Sequence, residues 1–156
     1  MSQILINAYL SELDRIKRIS GSLSEQVIRE AFKDLLKAWS RQQGLVFLAE
    51  HGMASNQKTS IRPDGTILHE LRVPLGYWEA KDTADDLDTE IKKKFLKGYP
   101  QDNIIFENST TAVLVQNRAE VMRCSMADTK ELQRLLTLFF AYERQEIALF
   151  RKAVLE

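Results

Sequence analysis

Arg62-Pro63-Asp64-Gly65 and, a short way downstream, Gly76-Tyr77-Trp78-Glu79-Ala80-Lys81-Asp82 are the two segments on which the reading of this chain turns. Alternation along a strand sends Glu79 and Lys81 to one face and Trp78 and Ala80 to the other. Leu75, Tyr77, Trp78 and Ala80 form an apolar, aromatic strand that stops abruptly at Lys81-Asp82, so charge emerges at the end of a buried element. If Asp64 stands at the preceding turn or strand start, the chain folds back and sets its carboxylate beside Glu79. No glycine between Thr66 and Pro74 marks the turn of such a hairpin, which leaves the placement of Asp64 against Glu79 open. Two hard oxygen ligands at one place suit Mg²⁺, which keeps several waters and takes one or two carboxylates plus substrate phosphate. A lysine one strand step further on can orient an attacking water, or take its proton, and offset charge on a scissile phosphate.

Read as Pro63-Asp64, Glu79, Ala80 and Lys81, this pattern resembles the PD-(D/E)xK nuclease superfamily. The likeness widens when the upstream helix Ser24-Glu25-Gln26-Val27-Ile28-Arg29-Glu30-Ala31-Phe32-Lys33-Asp34-Leu35-Leu36 is included. It continues through Asp85-Asp86-Leu87-Asp88 and Asn103-Ile104-Ile105-Phe106 to Ala112-Val113-Leu114-Val115. The whole is similar to the N-terminal nuclease domain of type ISP and related single-chain restriction-modification enzymes. That resemblance implies a restriction-endonuclease-like core and cleavage of DNA phosphodiesters that depends on Mg²⁺, with Mn²⁺ able to replace it. Asp64, Glu79 and the carbonyl of Ala80 would be the metal ligands, and Lys81 would position the water. The implied partners are double-stranded DNA and downstream translocase and methyltransferase domains. No methyltransferase-like catalytic segment occurs in these residues, so the chain reads as an excised or solo N-terminal module.

Glu25 is the fourth candidate catalytic residue. On a helix above the sheet it would help hold the water; in the first turn of any helix a carboxylate also complements the macrodipole. Glu30 is a lesser candidate on the same flank. The helix from Asp85 to Lys97 carries Asp85, Asp86, Asp88 and Glu90 in its first half and Lys92, Lys93, Lys94 and Lys97 in its second. That order stabilises any solvated helix, so the lysines are expected on a solvated face, with one or two able to touch phosphate. His51, His69 and Cys124 lack metal-ligand spacing, and no Gly-rich phosphate loop or Ser-His-Asp arrangement is legible.

A chain of 156 residues, 44% hydrophobic, builds one domain around a single core. Its 22 basic and 22 acidic residues cancel, so no global field draws it to DNA and any contact must come from a local patch. With one cysteine and no membrane-length apolar run or signal segment, a cytoplasmic protein is expected.

Periodicity predicts helices over 3–19, from Ser22 or Ser24 to about Gln42, and over 85–97, with a long final helix over 127–153. Strands are expected at 45–49, 66–71, 75–81, 103–106, 112–116 and 120–124, with a polar loop from His51 to Ser60. The fold class is therefore α/β, a mixed sheet flanked by helices, with the site at the sheet edge. Two other functions fit the same residues: a non-catalytic DNA-docking or interaction module, and a stand-alone repair or junction nuclease.

Overall fold

The computed structural model describes residues 2–54, 60–143 and 153–154. Two helices come first, α1 (Ser2–Ser20) and α2 (Glu25–Gln42), followed by strands β1 (Val46–Ala49), β2 (Met53–Ala54), β3 (Ser60–Ile61), β4 (Gly65–Leu68) and β5 (Pro74–Ala80). Helix α3 (Leu87–Leu96), strands β6 (Asn103–Glu107), β7 (Thr111–Gln116) and β8 (Ala119–Ser125), and helix α4 (Thr129–Phe140) complete the order. Local chemistry sets the helix boundaries. The Ser24 hydroxyl accepts the Val27 N–H at 3.2 Å and starts α2, and the Asp128 carboxylate accepts the Glu131 N–H at 3.2 Å and starts α4. Gly44, with φ of 70°, carries the chain away from the end of α2.

Six strands form one mixed sheet in the order β1-β4-β5-β6-β7-β8. Every neighbouring pair is antiparallel except β5 and β6, which run parallel because α3 crosses between them. Apolar side chains cover both faces, as a crossover topology requires. One face packs Ile67, Trp78, Ile105 and Leu114 against α1, α2 and α4; the other packs Tyr77, Ile104, Phe106 and Val113 against Leu87 and Ile91 of α3. The fold class is thus α/β, a six-stranded mixed sheet flanked by four helices.

Four local expectations change. The loop from His51 to Ser60 contains the two-residue strands β2 and β3, paired antiparallel through Met53 with Ile61. The strand expected to reach Leu71 ends at Leu68, where a turn begins: the Val73 carbonyl accepts the His69 N–H at 2.8 Å, and Arg72 takes the φ of 65° for which a glycine was sought. Helix α4 closes at Phe140 rather than running on from 127 to 153, with Ala141 as its C-cap. Its expected extension through Ile147 and Phe150 lies outside the described residues. Finally, Asp64 and Glu79 do not lie on a lateral edge of the sheet. They sit on neighbouring interior strands, where β4 begins and β5 ends.

Gly76 fixes the approach of α4 to the sheet. A Cβ there would lie 2.6 Å from Cε1 of Phe139 and 2.7 Å from Nδ2 of Asn103. That buried amide donates to the carbonyls of Leu75 at 3.1 Å and Phe139 at 2.9 Å, and so ties strand to helix. Gly76→Ala is therefore expected to cost about 3 kcal/mol through overpacking and weakened Asn103 bonds. Gly52→Ala, whose methyl would meet nothing closer than 3.8 Å, should be nearly neutral. Urea unfolding of the two variants beside wild type checks the contrast.

Candidate functional site

Antiparallel register places Gly65 opposite Trp78, and so Asp64, the residue before β4, opposite Glu79. Close packing enforces this pairing, because a Cβ at Gly65 would lie 2.6 Å from the Phe47 ring and 3.0 Å from the Trp78 ring. Two backbone hydrogen bonds then lock the acids in place. The Asp64 N–H donates to Oε1 of Glu79 at 3.1 Å, and the Ala80 N–H donates to Oδ2 of Asp64 at 2.7 Å. Glu79 shares its strand face with Tyr77, the face that α3 covers.

Across that gap α3 presents charge to the pair. The Nζ of Lys94 lies 3.0 Å from Oε2 of Glu79, and the Nζ of Lys81 lies 3.5 Å from the same oxygen. Lys81 is also 3.9 Å from Glu90, and the Lys94 ammonium stands 4.8 Å above the Tyr99 ring. Both lysine side chains are only 15% exposed. Lys94 is thus not on the solvated face expected for it. The signal lay in the spacing, since Leu87, Ile91 and Lys94 fall on one helical stripe. Lys93, 60% exposed and 3.4 Å from Glu90, does follow the expectation.

The electrostatics reflect crowding. Burial raises the Asp64 pKa, and the Glu79 charge raises it further, against the Ala80 N–H and the charges of Arg29 and Lys81. Burial lowers the Lys81 pKa, and repulsion from Lys94 outweighs enough of the Glu79 attraction to keep it low. Burial acts on Lys94 in the same direction, yet its hydrogen bond to Glu79 and the attraction that goes with it hold its pKa above the ordinary value.

Glu107 is a further acid that the sequence reading passed over. It stands beside Ala80 in the parallel register of β5 and β6 and is fully buried. Oε1 accepts the Trp78 indole N–H at 3.1 Å, and Oε2 accepts the Ser109 N–H at 2.7 Å. Burial pushes its pKa up to about 7 against these bonds and the nearby Arg29 charge, while Asp64 adds to the rise. Its main-chain carbonyl also accepts the Lys81 N–H at 2.7 Å. A charge at the end of an apolar run was the same signal that drew attention to Lys81.

Glu25 and Glu30 fall elsewhere. Oε1 of Glu25 accepts the Thr83 N–H at 3.0 Å, so this carboxylate fastens the start of α2 to the loop after β5. Arg29, one turn on, reinforces that seam with Nη2 3.3 Å from Asp82. Glu30 is engaged on its own helix, 3.3 Å from Gln26 and 3.9 Å from Lys33. Cys124 is a buried free thiol whose pKa burial raises to about 11, which makes it unreactive.

The donor set allows a divalent cation. Asp64 and Glu79 are close enough for each charge to oppose the other, the repulsion that a cation between them relieves. Two carboxylates with water and phosphate make up a Mg²⁺ shell, whereas among the described residues no cluster of three or more His, Cys, Asp or Glu offers a zinc-type cage. No helix among the described residues is long and apolar enough to cross a membrane.

No family model and no curated protein matches the chain. Among solved structures it is similar to part of a chain in the cryo-EM structure of a DrdV–DNA complex, with 44% identity and a TM-score of 0.88. The similarity covers 97% of this chain and 15% of that one, so the sequence spans only a small part of that protein's length.

The buried Glu107 gives a testable pH dependence. Its folded pKa, about 7, lies above the ordinary 4.5, so the stability it contributes is fully present below 4.5 and is lost as pH rises through about 7. Glu107→Gln removes this titration, although it also sacrifices one of the two accepted hydrogen bonds. The stability advantage of wild type over Glu107→Gln is therefore expected to shrink across that window, by at most about 3 kcal/mol. Thermal or urea unfolding of both proteins at stepped pH measures the gap.

Proposed function

We propose that this chain is a Mg²⁺-dependent DNA endonuclease domain of the PD-(D/E)xK type, the nuclease module of a restriction-modification enzyme. The observation that carries the reading is the facing pair Asp64 and Glu79, joined by two backbone hydrogen bonds, with the Lys81 ammonium 3.5 Å from Glu79. Similarity at 44% identity to part of a chain solved in complex with DNA supports duplex DNA as the substrate. The same similarity covers 15% of that chain and so fits a module of a longer protein; a translocase and a methyltransferase as the further domains are what the sequence resemblance implies.

Asp64 and Glu79 would hold Mg²⁺ or Mn²⁺, with the Ala80 carbonyl as a further oxygen ligand. Such an ion supplies Lewis acidity at a phosphoryl oxygen and lowers the pKa of water. The chain's own residues do the positioning. The Ala80 N–H aims the Asp64 carboxylate, and the Asp64 N–H aims that of Glu79. Lys81, paired with Glu79 and close to Glu90, is suited to orient the attacking water and to offset charge building on the scissile phosphate. Water oxygen bonds to phosphorus in line with the departing sugar oxygen and gives its proton to solvent; the P–O bond to the sugar oxygen breaks, that oxygen takes a proton from solvent, and the phosphate stays on one product. Glu25 assists through the loop after β5, holding Thr83 and thereby the end of the strand that bears Lys81. One site cuts one strand, so a duplex break takes two copies or two events.

A non-catalytic docking module is the second reading, and one observation favours it. Two ammonium groups already neutralise Glu79, at 3.0 and 3.5 Å, so the carboxylate is satisfied without a metal ion.

Asp64→Ala and Glu79→Ala are each expected to abolish Mg²⁺-dependent plasmid nicking without loss of fold by circular dichroism. Lys81→Ala should lose about 10²- to 10⁴-fold in turnover while binding Mn²⁺ or Ca²⁺ at least as well as wild type, because a nearby cation has been removed. Titration calorimetry beside single-turnover cleavage separates the two classes. Wild-type protein that neither binds the ion nor cuts DNA would establish the docking reading instead.

A further inference from the structure

On the same side of the sheet as α3, a cleft of about 470 Å³ opens between the end of β3 and the end of α3. Ser60, Ile61, Arg62, Lys94, Lys97 and Tyr99 line it together with Leu96; three of these described residues are cations, and Lys94 is paired with Glu79. In a chain whose charges cancel, cations from two separate segments meet here. The macrodipole accounts for lysines in the last turn of α3, where cations are favourable. It does not account for Arg62, which comes from a separate segment of chain and converges on the same space.

Two connections join the cleft to the acidic pair. Lys94 belongs to both, lining the cleft while its Nζ lies 3.0 Å from Glu79. Arg62 stands two residues before Asp64, a reach of at most about 7 Å along the chain. We propose that this cleft is a phosphate subsite that holds the DNA backbone next to the phosphate engaged at Asp64 and Glu79. Arg62 and Lys97 supply the neutralising charge, the Ser60 hydroxyl and Tyr99 flank it, and Lys94 links the subsite to the acids. Register on the strand then comes from the cleft, while the carboxylates address a single bond. This rests on the nucleic-acid reading of the site but not on catalysis.

The test is equilibrium binding of a fluorescein-labelled duplex to the chain by anisotropy, across a salt series in Ca²⁺ and again in EDTA. Arg62→Ala and Lys97→Ala should each weaken binding several-fold and lower the slope of log affinity against log salt by about 0.9. Lys130→Ala is the control. Lys130 lines a second basic cleft, with Arg134, on helix α4, which packs against the opposite face of the sheet. It should leave affinity and slope unchanged. Unchanged slopes for both cleft variants, folded by circular dichroism, would overturn the subsite, as would an equal loss in Lys130→Ala. Displacement of the duplex by inorganic phosphate at constant ionic strength would reassign the cleft to a free anion and overturn it too. Failure of wild type to cleave in Mg²⁺ would sink the nuclease reading alone, since these measurements need no cleavage.

Discussion

The register between β4 and β5 is the constraint from which the site follows. It is set by packing and not by the charged residues themselves. Phe47 and Trp78 close over Gly65 so tightly that a methyl group would collide with both rings. The glycine therefore serves close approach at the first residue of a strand. Slipping the pairing by one residue would send Trp78 out of its core, so a large apolar penalty protects the alignment of Asp64 with Glu79. Trp78 also ties the core to the strand ends, because its ring packs among Phe32 and Phe47 while its indole N–H reaches Glu107.

Around that register the chain assembles more buried charge than a domain of this size needs for stability. Asp64 faces Glu79 where β4 begins and β5 ends, Glu107 stands beside Ala80 at the end of β6, and Lys81 and Lys94 both meet Glu79. Desolvation opposes ionisation of such groups, and a buried ion pair is weak evidence for stability. The arrangement conflicts with the otherwise apolar covering of the sheet, and such conflicts concentrate at functional sites. Pairing Glu79 with Lys94 limits the cost while leaving a carboxylate that a better cation can claim.

Helix α3 has two tasks in this arrangement. Its apolar stripe, Leu87 and Ile91, closes the core on its face of the sheet. The polar continuation of the same stripe delivers Lys94 to Glu79, and its last residues form one wall of the basic cleft. The parallel pairing of β5 with β6 makes this possible, since only a crossover connection lays a helix over the ends of both strands.

Periodicity and capping were enough to read off most elements, because these are local properties: the Ser24 and Asp128 caps, the amphipathic stripes and the apolar strand before Lys81 all lie within a few residues of their cause. Glu79 and Lys81 were legible as neighbours on one strand face for the same reason, since strand alternation is a local rule, whereas Asp64 meets Glu79 only through the β4–β5 register. What adjoined them was not. Lys94 was read as solvated because charge order along a helix says nothing of what packs on its inner face, and Glu107 went unnoticed because only the parallel register places it beside Ala80. The turn at Arg72 defeated a rule about glycine, for a pairing enforced by aromatic packing tolerates a left-handed arginine. Sequence set the elements and the chemistry on each; long-range register decided which charges meet, because neighbours across a sheet are chosen by packing that no local pattern encodes.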